Sequence, residues 1–265
     1  MSTSEPLKRR AGTSMVSRKS STQAVAYRFQ RHHPALQVGD VLTVQSKREE
    51  PVRVFFGQSQ LDGACGLHAA TMMLVILDLA KSDALRDMSR RKFGVPAIVF
   101  EAFRPTYFLG VDADEYVTIL ESLDLPLQIT LRTDRDKSKT GNLDAFVVDC
   151  LMRGELVAIA VASVNNRRTK HWVLGIGVEG AVCGRDSIPD GLQLLDPSAS
   201  EPHFRAYNAR LCMPHDGRST LPNRLAVKLH QKAARQQPIQ WDYSAPDWDT
   251  EPVRLIAAVR FRLRV

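Results

Sequence analysis

The sequence lacks the features that mark several protein classes. Its histidines are scattered, and its four cysteines are far apart, so neither a disulfide-rich domain nor a zinc site with CxxC pairs is indicated; the cysteines are Cys65, Cys150, Cys183 and Cys212. We therefore expect no metal and no other cofactor. No apolar run approaches the ~18 residues that a membrane-spanning helix requires, so no transmembrane segment is expected.

The N-terminal segment also lacks the apolar stretch that a secretory signal peptide contains. We therefore expect a reducing compartment, in which the cysteines are free thiols. The cytoplasm is the first expectation, and export as an effector without a conventional signal peptide is the alternative.

Acidic residues are sparse in two segments, which makes the charge of the chain uneven. Residues 1–33 hold seven Lys or Arg and one acid, and residues 202–237 hold seven against one, whereas residues 34–201 are mildly acidic. A nucleic-acid-binding domain usually has a basic face on its folded core, so we expect no nucleic-acid binding from this core. The composition of residues 1–33 predicts a disordered basic tail. That tail is solvated, or it contacts polyanions or a membrane surface.

The length of 265 residues and the apolar content of 44% are sufficient for one large domain or two small ones. We predict one folded domain at residues 34–265. Residues 201–250 fit its pattern least, because they combine basic residues with Trp241, Tyr243 and Trp248 among acids and prolines. We interpret them as an insertion that either borders a substrate cleft or decorates the surface.

The most informative stretch, residues 57–79, passes two glutamines and a short loop, reaches Cys65 and then stays apolar for over three helical turns. Gly63 and Gly66 flank the cysteine and permit a sharp turn into a helix. A thiol in the first helical turn faces free backbone N–H groups and the positive end of the helix dipole, which favours the reactive thiolate. For an isolated cysteine, a small buried residue at the start of a core helix is the ordinary interpretation.

A second region offers partners for this thiol. Residues 155–163 predict a buried strand, and a polar turn separates it from a second strand, residues 171–178, which His171 opens. Asp196 ends the third strand, and antiparallel neighbours place the start of one strand beside the end of the next. Asp196 is therefore expected to orient the His171 imidazole. Each residue alone has an ordinary structural interpretation, but their joint placement favours a functional one.

A glutamine loop leading to Cys-Gly on a central helix, followed by strands with a histidine and an aspartate, resembles the papain-like cysteine peptidases. The branch it is most similar to is the bacterial one that includes the double-glycine leader peptidases. The resemblance covers roughly residues 50–200 and the last strand. It implies an α+β fold in which a central helix bearing Cys65 packs on an antiparallel sheet bearing His171 and Asp196. It also implies that Cys65 is the nucleophile, His171 the general base and acid, and Asp196 the orienting acid.

The resemblance places the glutamine that stabilises the oxyanion at the position of Ser59. Gln58 and Gln60 flank this position and are the two candidates. In an extended lead-in both point to the same side, since alternate residues share a face. We predict that one of them projects its amide toward the Cys65 sulfur and that the other lies outside hydrogen-bond reach.

The sequence thus predicts a cysteine peptidase that cleaves a peptide or isopeptide bond in a protein or peptide substrate through an acyl-thioester on Cys65. The same triad also suits a deamidase, transglutaminase or acyltransferase, of the kind found among bacterial effectors. A non-catalytic peptide-binding module ranks last, because all three triad residues are present.

Overall fold

The computed structural model describes eight segments, residues 27–45, 50–59, 62–136, 142–166, 170–183, 185–214, 239–246 and 248–264. In chain order the strands are β1 (Tyr27–His32), β2 (Leu36–Gln37), β3 (Thr43–Val44), β4 (Val52–Arg53), β5 (Leu127–Thr133), β6 (Leu156–Ser163), β7 (Lys170–Cys183), β8 (Asp186–Leu195), β9 (Ala209–Cys212), β10 (Gln240–Ala245) and β11 (Trp248–Leu263). The α-helices are α1 (Cys65–Ile76), α2 (Ser82–Arg86), α3 (Val95–Phe103), α4 (Ala113–Ser122) and α5 (Leu143–Met152). These segments are mostly β-structure.

Six antiparallel strands close into a barrel. Around its circumference the order is β7, β6, β11, β10, β9 and β8, and β8 pairs again with β7. This last pairing aligns Leu174 of β7 with Leu195 of β8. The far ends of β7 and β11 extend past the barrel and pair with β1 and β5. Strands β2, β3 and β4 form a separate small sheet.

The barrel wall separates two hydrophobic cores, and β6 shows how its sequence serves both. Every residue of β6 is buried. Its odd-numbered residues from Val157 to Val161 join the core inside the barrel, which the fully buried Trp241 also fills. Its even-numbered residues from Leu156 to Ala160 join the outer core instead. A strand buried on both faces is a continuous apolar run, as the sequence of β6 is.

Helix α1 packs on the outer side of the barrel wall, against β7 and β6. Its 12 residues are apolar nearly all round, and all but His68 are buried. Helix α4 lies in the same layer, and Asp112 caps its N-terminus, since Asp112 Oδ1 accepts a hydrogen bond from the Glu115 backbone N–H at 2.9 Å. In the described part of the chain, no helix has the length and apolarity needed to cross a membrane.

The fold class expected from the sequence was wrong. The chain is mostly β, with a closed six-stranded barrel, and is not a papain-like helix packed on a sheet. The error originates in residues 201–250, which were interpreted as an insertion but supply β9 and β10, two of the six barrel strands. These strands have only four and six residues, and polar residues alternate with the buried ones, so neither forms a long apolar run.

The boundary of the N-terminal tail also needs correction. Tyr27–His32 were assigned to a disordered segment, yet they form β1 and pair with β7, with Tyr27 opposite Val182. Four of the six residues are exposed and only Phe29 and His32 are half-buried, which explains why their apolar content is low. The rest of the predicted tail, residues 1–26, lies outside the described residues.

Candidate active site

The backbone around Cys65 is held by unusually close packing. Cys65 is the first residue of α1, and Gly63 two positions earlier donates its N–H to the Tyr107 carbonyl at 2.8 Å. A Cβ at Gly63 would lie 2.8 Å from the Gly110 nitrogen, and one at Gly66 would lie 2.6 Å from Val111 Cγ1. Neither glycine has a positive φ, so both serve close approach rather than the sharp turn that the sequence suggested.

The Cys65 thiol has three polar neighbours. Its sulfur accepts a hydrogen bond from the Trp172 backbone N–H at 3.5 Å and lies 3.8 Å from the Gly63 carbonyl oxygen. The third is the His171 imidazole, whose pKa the neighbouring thiol helps to raise. The N-cap residue of α1, Ala64, provides no side-chain cap, so the first N–H groups of the helix have neither a capping side chain nor an intrahelical partner.

His171 connects the thiol to a buried carboxylate. Its Nε2 lies 2.6 Å from Asp196 Oδ1, which leaves Nδ1 as the ring nitrogen available to Cys65. The start of β7 and the end of β8 meet here, because Leu174 is opposite Leu195 and Asp196 follows directly. The structure thus brings together the three residues Cys65, His171 and Asp196, and the strand arrangement is the one that the sequence predicted.

Asp196 is only 1% exposed, and several donors surround it. Oδ1 accepts the Ser198 backbone N–H at 2.7 Å, and Oδ2 accepts the Tyr243 hydroxyl. Asn208 clamps its backbone: Asn208 Oδ1 accepts the Asp196 N–H at 2.7 Å, and Asn208 Nδ2 donates to the Asp196 carbonyl at 2.8 Å. A buried carboxylate stays ionised when several hydrogen bonds stabilise the charged form.

The two titratable partners stabilise each other's charge. Burial alone would lower the pKa of His171, but hydrogen bonds to Asp196 and Cys65 outweigh it and raise the pKa to about 10. Burial alone would raise the pKa of Asp196, but the hydrogen bond and charge of His171, with the Tyr243 hydroxyl, hold it below its ordinary value. Near neutral pH the pair is therefore an imidazolium and a carboxylate, and Tyr243 keeps its proton because burial and Asp196 raise its pKa.

The structure locates one of the two oxyanion candidates. Gln58 Nε2 donates to the Asp62 carbonyl at 2.8 Å, and its backbone N–H donates to the Pro197 carbonyl at 2.7 Å. An amide nitrogen carries two N–H groups, and the bond to Asp62 uses one of them. Gln60 lies outside the described residues. The prediction that one glutamine faces the Cys65 sulfur therefore stays a prediction.

Three residues that border the site were not assigned a role from the sequence. Tyr243 and Asn208 hold Asp196, and Ser198 lies 3.5 Å from His171 Nε2 while donating its hydroxyl to Gln58 Oε1 at 3.4 Å. Tyr243 was assigned only to the predicted insertion at residues 201–250. In the sequence, the aromatic residues Trp241 and Tyr243 alternate with Asp242, and this alternation was the available signal for a strand with one inward face. In the structure, both aromatic residues are buried and Asp242 is half-buried.

Over the described segments, no group of three or more His, Cys, Asp or Glu side chains has the arrangement of a metal site. No protein-family model, curated protein or solved structure matches this chain.

Proposed function

We propose that this protein is a cysteine-dependent enzyme that hydrolyses a peptide or isopeptide bond in a protein or peptide substrate. The observation that supports the proposal is the placement of Cys65, whose sulfur accepts the backbone N–H of Trp172, next to His171, whose Nε2 lies 2.6 Å from the buried carboxylate of Asp196. Catalytic triads are recognised by the geometry and roles of their members, and they occur on unrelated folds. The proposal is therefore compatible with a barrel.

In the first step the Cys65 thiolate attacks the substrate carbonyl carbon. A C–S bond forms, and the electron pair of the carbonyl moves to its oxygen. The first N–H groups of α1 and the amide of Gln58 are the candidate donors to this oxyanion. The intermediate then collapses as the His171 imidazolium gives its proton to the leaving nitrogen and the C–N bond breaks.

In the second step water hydrolyses the acyl-thioester. The now neutral His171 removes a proton from water as the oxygen attacks the thioester carbonyl. The C–S bond breaks, the acid product leaves, and the thiolate and imidazolium are regenerated. Asp196 keeps the ring oriented throughout, since its Oδ1 is 2.6 Å from Nε2.

The acyl-thioester is common to several reactions, so the acceptor distinguishes the alternatives. Water gives hydrolysis, an amine gives transglutamination or acyl transfer, and a glutamine side chain as the acyl source gives deamidation. Because the chemistry needs a reduced Cys65, we propose the cytoplasm as its compartment, with export as an effector as the alternative.

Selective alkylation tests the activated thiol without a known substrate. Limiting iodoacetamide near pH 7 should label Cys65 at least about tenfold faster than Cys150 and Cys212, because burial raises the pKa of Cys150 to about 12 and also raises that of Cys212. Peptide mass spectrometry measures the rates. His171→Ala should remove the preference, and Cys212→Ala is the matched control that should keep it.

Turnover is tested by incubating the parent and Cys65→Ala with a proteome-derived peptide mixture. Mass spectrometry distinguishes new chain ends, a deamidation shift and an added amine. New chain ends that depend on Cys65 support the hydrolase. Modification without cleavage would replace it with one of the alternatives, and equal labelling of all thiols with no modification would favour a non-catalytic binding module.

A further inference from the structure

The end of the barrel next to His171 is an open mouth with a cavity of about 130 Å³. Here β6 ends, β7 begins and β11 begins, and the lining includes His171, Ser163, Trp248 and Glu251. Cys65 is not among the lining residues. In the proposed mechanism His171 gives its proton to the leaving nitrogen, so the mouth is on the leaving-group side of the site.

Glu251 places a fixed negative charge in this mouth. Its Oε1 accepts the hydroxyl of Ser163, whose oxygen in turn accepts the backbone N–H groups of Asn165 at 3.1 Å and Asn166 at 2.9 Å. The Ser163 hydroxyl therefore takes part in three hydrogen bonds, and one of them fixes the position of the Glu251 carboxylate. Among the described residues no Lys or Arg forms an ion pair with Glu251.

Lys170 also lines the mouth, but it forms no ion pair with Glu251. Successive side chains of a strand lie on opposite faces, so Lys170 shares the outer face with Trp172, whereas His171 shares the inner face with Val173. The ring of Trp248 is half exposed at the rim, with 52% of its surface accessible. An indole face attracts a cation and packs against the methylene stem of a long side chain.

We propose that the barrel mouth binds a lysine or arginine side chain on the leaving-group side of the scissile bond. Glu251 pairs with the cationic group, and Trp248 packs against the side-chain stem. This inference rests on the proposed acyl-thioester chemistry and adds its substrate class. Glu251 is accordingly a specificity-determining residue and not a participant in bond cleavage.

The proposed cation site can be tested without a known substrate by comparing two amines that accept the acyl group from Cys65. The protein is acylated on Cys65 with p-nitrophenyl acetate, and the nitrophenolate burst measures this step. Lysinamide or norleucinamide is then added; norleucinamide has the same stem without the ammonium group. The α-amine attacks the thioester carbonyl, a C–N bond forms, the C–S bond breaks, and His171 takes the amine proton. Mass spectrometry quantifies both acetylated amides.

The parent should acetylate lysinamide about 10- to 100-fold more than norleucinamide. This ratio corresponds to the usual free energy of a hydrogen bond to a charged group. Glu251→Gln should bring the ratio close to one. Asp249→Asn, which removes an exposed acid of the same strand outside the lining, should keep the parent ratio. Glu251→Lys should disfavour lysinamide.

Two results would overturn the proposed cation site. A third result would instead overturn the proposed function. A parent ratio near one, or a preference that survives Glu251→Gln, would show that the mouth does not select a cation, even with a normal burst. A parent that shows no burst beyond that of Cys65→Ala would instead remove the acyl-thioester chemistry on which the inference rests.

Discussion

The Tyr243 hydroxyl donates a hydrogen bond to Asp196 from a residue 47 positions further along the chain. Tyr243 belongs to β10, and β10 links β9 to β11 within the closed barrel. The same strand therefore completes the barrel and holds the acidic member of the proposed triad. Closure of the barrel and ordering of the site are coupled through this one side chain.

Replacing Tyr243 with phenylalanine should destabilise the protein and impair the site together. The change leaves a buried carboxylate oxygen without its donor, which costs about 1–3 kcal/mol of unfolding free energy. Urea denaturation measures this cost, and the rate of Cys65 alkylation reports on the site. Tyr207→Phe is the control, because among the described residues the Tyr207 hydroxyl has only an exposed contact with Gln30, at 3.4 Å. Equal stabilities of the two variants would contradict the prediction.

The raised pKa of His171 predicts how stability depends on pH. The folded protein keeps the proton up to about pH 10, whereas the unfolded chain releases it near 6.5. The stabilisation by the pair is therefore complete below about pH 6.5 and is lost as the pH rises toward 10. The unfolding free energy from urea titrations should fall across this interval.

Asp196→Asn provides the matching control for this pH dependence. Without the carboxylate, the hydrogen bond and charge that raise the pKa of His171 are lost, and burial lowers that pKa. The fall in stability between pH 6.5 and 10 should shrink or disappear. A variant that loses stability over this range as steeply as the parent would show that another group is responsible.

The two glutamines before the cysteine should differ sharply in importance. Loss of one oxyanion donor typically lowers turnover about 100- to 1,000-fold. The measurement compares Gln58→Ala and Gln60→Ala in their turnover of a substrate that the parent cleaves. One variant should lose turnover by that factor, and the other should stay close to the parent. A loss of only a few-fold in both would assign the oxyanion to the backbone N–H groups of α1.

Gly66→Ala should displace the start of α1, although alanine favours helices. The new methyl group would lie 2.6 Å from Val111 Cγ1 and 3.3 Å from the Tyr116 ring, and overpacking of this kind costs about 1–3 kcal/mol. Thermal unfolding and the alkylation rate of Cys65 should both change. Gly39→Ala is the control, since its nearest contact would be an ordinary 3.5 Å. A Gly66→Ala variant as stable as the parent would contradict this account.

Local patterns were sufficient to predict much of the structure around the site. The apolar runs predicted α1 and β6. The positions of His171 and Asp196 also followed from strand order, because antiparallel neighbours meet at their ends.

The barrel itself was not predicted, because its closure depends on pairings between distant residues. Tyr243 pairs with Leu211 and Glu251, and nothing in the short, polar segments around these residues indicates which strand each will meet. The same limit applies to Asn208 and Ser198, which act through contacts with Asp196 and Gln58. Side chains that hold a site by long-range hydrogen bonds leave no periodic signal.

Strand β11 has a further consequence for biosynthesis. It pairs with β5, β6 and β10 and supplies Glu251, yet it follows every other described element in the chain. A nascent chain therefore cannot seal its barrel until β11 has emerged from the ribosome. Ribosome-bound chains that stop before Trp248 should show no preferential alkylation of Cys65, and the proposed activity would then be withheld until translation has passed this strand.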